Sequence, residues 1–257
     1  MGPARGDPAR DTRSMTRGRA AATALLLAPV VVLGACDTAQ PAEPEVVEVA
    51  AAVPVTRALP PARAAEAGPM FASAIAPIDD ALRARMSASW RPGCPVPLED
   101  LRYVTVTHVD FDGVVRTGEL VVHADVAEGV TRVFAALFEQ RYPIRSMRLV
   151  DDFGADDTAS MYADNTSAFN CRAITGGTAW SEHAYGRAID LNPVENPYVL
   201  GSHVGPRTGR AFVSRPDEPG VIHADDAVVA AFAAEGWQWG GLWPGPIDYQ
   251  HFSTTGR

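Results

Sequence analysis

The sequence predicts an α+β fold, a small antiparallel sheet flanked by helices. Three observations carry it. Two β-rich segments flank the turn signal Asp112-Gly113, an amphipathic helical pattern follows them, and short apolar runs alternate with turns near the C-terminus. In chain order, Ile78, Leu82 and Met86 recur every four residues and predict a helix over 77–89. Residues 101–110 carry Val104, Val106 and His108 on alternate positions, and Asp112-Gly113 turns the chain into a return strand over 114–123. Residues 126–142 form the clearest helix. Val126, Val130, Val133, Phe134, Leu137 and Phe138 share one face, Asp125 and Glu128 have capping-box spacing, and Pro143 ends the pattern. A strand is expected over 144–150, then a polar loop over 151–177. Residues 188–191 read as a short core strand and 192–216 as a second long loop. A helix over 225–235 turns Val228, Val229 and Phe232 inward and closes at Gly236, and strands over 237–243 and 248–252 finish the chain.

The first 65 or so residues have a different composition. Arg17 and Arg19 precede an apolar run over 20–32 that ends in Leu33-Gly34-Ala35-Cys36. This is the pattern of an export leader with a lipobox, in which Cys36 is lipidated and becomes the new N-terminus. The run is too short for a comfortable membrane span of roughly 20 residues. A plain leader cut near Ala35, or an uncleaved anchor, is the other reading, and Met15 is an alternative start to Met1. The expected organisation is a leader over 1–36, an Ala/Pro/Glu-rich tether over 37–69 and one folded domain over 70–257. The chain is then exported, held at the outer face of the membrane in the cell envelope, and monomeric. Losing the leader removes five arginines and two aspartates, which takes the net charge from -9 to -12. A chain this acidic is a poor nucleic-acid binder.

With Cys36 assigned to lipid, Cys94 and Cys171 form an even pair in an oxidising compartment and predict one disulfide. The competing reading makes Cys171 a nucleophile or a metal ligand.

The chain has no His-Glu-x-x-His helix, no Gly-x-Ser-x-Gly elbow and no phosphate-binding glycine loop. Its candidate chemistry is distributed. His183 and Asp190 lie seven residues apart around Gly186, and Asp248 stands three residues before His251. Gly186 can fold His183 back towards the strand that carries Asp190. Two imidazoles and one carboxylate are ordinary zinc ligands with a position left open, and such a centre makes water a nucleophile near neutral pH. Asp248 can serve as general base. Each residue also has a plainer use. His251 can be a core histidine, Asp190 a turn cap, Asp248 a support for His251, and Arg172 a partner of Asp151 or Asp152.

The pattern Ser181-x-His183-x-x-Gly186-x-Ala188-x-Asp190, with Asp248-x-x-His251 downstream, resembles the VanY-type D-alanyl-D-alanine carboxypeptidase and dipeptidase family of zinc peptidases. Residues 160–172, Asn192-Pro193, Asn196-Pro197-Tyr198 and the Trp237–Trp243 segment extend the likeness over about residues 100–254. The resemblance implies a D-alanyl-D-alanine-peptidase-like (hedgehog-like) fold and one zinc per chain on His183, Asp190 and His251. It implies Asp248 as base, where many relatives carry glutamate, and Arg172 and Ser181 as grips for substrate or oxyanion. The implied substrate is the peptidoglycan stem peptide, cut as a carboxypeptidase or, second, as an endopeptidase. A zinc-stabilised wall-binding module without turnover is the rival of another class.

Overall fold

A computed structural model describes residues 69–257. The leader, Cys36 and nearly all of the tether lie outside the described residues. The chain opens with β1 (Ser73–Pro77) and α1 (Asp80–Arg85), whose N-cap Asp79 accepts from the Leu82 amide. This helix is shorter than the periodicity predicts. Pro77 is spent in β1, paired with Arg102, and Met86 acts as the C-cap while burying its side chain.

β2 (Leu101–Val109) and β3 (Val115–His123) pair antiparallel in the expected register, Val109 opposite Val115. The Asp110 carboxylate accepts from the amides of Asp112 and Val114, so the side chain itself builds the turn. Period-two alternation sorts the sheet into two faces. Val104, Val106, Leu120 and Val122 meet Val130, Val133, Phe134 and Leu137 of α2 (Ala127–Glu139). Leu101, Tyr103 and Val121 meet Met86, Leu149, Phe169 and the half-cystines. Loops and a disulfide, rather than a second helix, therefore cover that other face. Cys94 and Cys171 are joined across 77 residues. In the chain-entropy account, opening a loop of that size costs about 4 kcal/mol. Urea unfolding of the Cys94→Ala/Cys171→Ala chain should show a loss of that order, and no loss would mean that the unfolded chain is already restrained.

The capping box at α2 does not form. The N-cap is Val126, without a side-chain bond, because Asp125 instead bonds Nδ1 of His123 (2.6 Å) and Nη2 of Arg187 (2.5 Å). The expected strand over 144–150 contracts to β4 (Ser146–Met147). The side-chain amide of Asn165 accepts from the N–H of Arg148 and donates to its C=O, which ends the ladder. Next comes α3 (Asp157–Tyr162), capped by Asp156 within what reads as a loop, and then β5 (Asn165–Thr166), parallel to β4.

β6 (Ala188–Asp190) is followed by a hairpin inside the second predicted loop, β7 (Tyr198–Leu200) and β8 (His203–Gly205). Then come α4 (Ala227–Ala234), β9 (Gln238–Trp239), β10 (Ile247–Asp248) and β11 (His251–Ser253). The single small sheet expected is, among the described residues, three small antiparallel sheets and one parallel pair: β1-β2-β3, β6-β11-β9, β10-β7-β8 and β4-β5. Gly240 and Gly241 cut the predicted strand over 237–243 to two residues. A Cβ at Gly240 would stand 2.6 Å from the Asp248 carbonyl, so only glycine lets these segments touch. Phe252, fully buried and stacked on Phe232 at 3.8 Å between ring centroids, anchors β11 in the core.

The loop after β6 buries two acids. Asp164 and Glu195 bring their side chains together, and Oε2 of Glu195 is enclosed without a partner. Burial, with Asp164 adding to it, pushes Glu195 up to about 8, although Arg145, 3.7 Å from Asp164, opposes. The folded chain thus holds a proton that the unfolded chain releases near the ordinary glutamate value of 4.5. The stability this proton contributes is complete below that value and lost as pH rises to about 8. With a chelator present, urea midpoints should fall between about pH 5 and about pH 9, and Glu195→Gln should flatten the fall. Equal slopes in both chains would show that the pair shares no proton.

Candidate metal centre

Local rules bring the three candidate ligands together. Ser181 caps the short 3-10 turn Glu182–Tyr185, its Oγ accepting from the His183 amide at 3.3 Å. Gly186 ends the turn at φ +67°, with its α-carbon so close to the β3 backbone that a Cβ would stand 2.6 Å from the His123 nitrogen. A larger residue is therefore excluded both by conformation and by space. The reversal delivers the chain into β6, where Asp190 lies directly opposite His251 of β11. Cross-strand neighbours share a face, so carboxylate and imidazole meet. On its other side Asp190 exchanges both backbone bonds with Ser167.

His183, Asp190 and His251 are all buried, and their ligand atoms lie within 4.8 Å of one another. His251 Nδ1 is 3.0 Å from Asp190 Oδ1, and His183 Nε2 is 3.1 Å from Asp190 Oδ2. Ligand atoms on a tetrahedral zinc are roughly 3.3 Å apart, by the usual bond lengths of about 2.0–2.1 Å. His183 Nε2 has no hydrogen-bond partner despite that 3.1 Å approach. The two atoms are near each other without aligning as donor and acceptor, as expected of groups aimed at a common third point. His183 Nδ1 bonds the Ala168 carbonyl at 2.6 Å, which leaves the lone pair on Nε2. Burial alone would raise Asp190, but the two imidazoles hold it well below the usual carboxylate range. Burial would lower His251, but Asp190 outweighs it and pushes the ring up to about 9. The donor set fits a metal ion.

Asp248 arrives on β10, paired with Tyr198, three residues before His251. The bond from Trp239 Nε1 to the Tyr249 carbonyl (2.7 Å) fixes the connecting segment. Asp248 is half-buried, its Oδ1 enclosed and without a partner. Burial pushes it up to about 7, with Asp190 adding to the effect and the imidazoles opposing. It is not one of the three clustered ligands. A carboxyl of this kind, beside a metal site rather than in it, can exchange a proton near neutral pH.

Arg172 and Ser181 sit at the base of a hairpin. The Ser181 amide donates to the Arg172 carbonyl, and Asn170 donates to the carbonyl of His183. The Arg172 guanidinium pairs with Asp157 of α3 at 2.9 Å, while its Nε is enclosed without a partner. Asp151 and Asp152 are engaged elsewhere, on the amides of Ala88 and Ser89 and on Arg85 and Arg148. Asp157 escapes a sequence reading because α3 does. The carbonyl that orients His183 escapes it too, since a backbone oxygen has no residue signature.

Fold and donor set together give a candidate metal-binding site on a small α+β scaffold. The model of a family described as D-alanyl-D-alanine carboxypeptidase matches residues 175–254. His183, Asp190, Asp248 and His251 all fall within the match, Arg172 falls outside it, and the match supports a peptidase. No curated protein and no solved structure matches the chain.

Proposed function

We propose that the chain is an exported, lipid-anchored zinc peptidase that trims peptidoglycan stem peptides, with release of a terminal D-alanine as its main reaction. The observation that carries the reading is the buried His183–Asp190–His251 cluster with the unpartnered Asp248 beside it, inside the segment similar to the carboxypeptidase family. Zinc, when bound, supplies Lewis acidity to the scissile carbonyl and to water. Asp248 takes the proton of the attacking water and passes it to the leaving amine, a role suited to a carboxyl pushed up to about 7. The hydroxyl of Ser181 accepts from its own turn and keeps its proton free to donate to the substrate. Arg172 is the cation for a terminal carboxylate, and to serve it must share its charge with Asp157. That ion pair favours the second reading, an endopeptidase that needs no carboxylate grip. Export and lipidation of Cys36 rest on residues 15–36, and the acidic charge argues against nucleic acid as a partner.

The test is a pentapeptide stem ending in D-Ala-D-Ala, with products identified by mass. Loss of a single alanine supports the carboxypeptidase and internal fragments support the endopeptidase. An intact peptide at full zinc loading leaves only the wall-binding module.

A further inference from the structure

We infer that residues 254–257 are a positioning device for the metal centre, in which the Arg257 main-chain oxygen sets the orientation and tautomer of His251. The inference rests on the zinc reading above. β11 ends at Ser253, and the chain at once doubles back. Ser253 Oγ donates to the Arg257 main-chain oxygen at 2.9 Å and accepts from the Arg257 amide at 3.0 Å. Ser253 is fully buried, and these two hydrogen bonds to the returning chain are all that its hydroxyl makes among the described residues. Gly256 makes the return possible. Its φ is +73°, and a Cβ there would stand 2.5 Å from Oε1 of Gln238 on β9.

The Arg257 main-chain oxygen lies 3.0 Å from His251 Nε2. A main-chain oxygen can only accept, so Nε2 keeps its proton, and Nδ1 is the nitrogen whose proton a bound metal would displace and whose lone pair it would use. Nδ1 is also the atom that faces Asp190, at 3.0 Å. Ala168 does the same for His183 from inside the core. The two imidazoles are thus oriented by two main-chain oxygens, one from a buried segment and one from a segment whose own residues are exposed or half-buried. Such residues ordinarily tolerate change with little effect. A metal affinity that depends on them is therefore a specific consequence of the arrangement.

The test is zinc affinity, measured by chelator competition, for the parent chain, a chain ending at Ser253, Ser253→Ala and Arg257→Ala, each with its apo-state circular dichroism. The truncated chain and Ser253→Ala should bind zinc about 10–100-fold more weakly while staying folded. Arg257→Ala should bind as the parent does, because it keeps the main-chain oxygen. The inference is overturned if the truncated chain binds zinc like the parent, if Arg257→Ala weakens binding as much as truncation, or if truncation unfolds the chain and so reveals a purely structural role. A parent chain that takes up no zinc would overturn the metal reading itself, an outcome distinct from equal binding by parent and truncated chain.

Discussion

Asp248→Ala should keep one zinc per chain and lower turnover of a stem peptide by about 10²–10⁴-fold, the range of positioned acid–base catalysis. The two effects separate because Asp248 is not among the clustered ligands, while its enclosed Oδ1 and its rise to about 7 fit a proton carrier. Asp248→Glu restores a carboxylate on a longer arm and should recover part of the rate. The check is kcat beside zinc content on the same preparations. Alanine and parent turning over alike would show that the water is activated elsewhere. Joint loss of zinc and rate would make Asp248 a support for His251.

Asp190→Ala should be the most damaging change at the centre. It removes the only carboxylate among three ligands and leaves His183 and His251 in a buried site without their shared partner, 3.1 Å and 3.0 Å away in the parent chain. Removing one member of a buried pair costs about 3–5 kcal/mol. Zinc should no longer be retained stoichiometrically, and turnover should fall to background. Metal analysis and urea unfolding of the apo proteins read the two effects separately. A variant that keeps its zinc and its rate would remove Asp190 from the ligand set.

Much of the fold follows from patterns that act locally. The Asp112-Gly113 hairpin was legible because Asp110 and the glycine write the turn into adjacent residues, and α2 because its apolar face runs over several turns. β7, β8 and α3 were not. Each is three to six residues long, below the length at which periodicity separates from noise, and β7 is also held by a distant partner, Asp248 opposite Tyr198. The capping box failed for a related reason. Its spacing was right, but Arg187, 62 residues on, competes for Asp125. At the site, His183 and Asp190 were readable from the glycine between them, and His251 from the spacing to Asp248. What the sequence could not show was the set of backbone oxygens behind the imidazoles, or Asp157 opposite Arg172.

The central claim is that one zinc on His183, Asp190 and His251 makes this chain a peptidase. The most direct measurement is a titration of chelator-stripped protein with zinc, following release of alanine from a D-Ala-D-Ala stem peptide. The account expects no release without metal, a linear rise to about one equivalent and a plateau beyond it. Activity that survives stripping, or that rises without saturating near one equivalent, would contradict it.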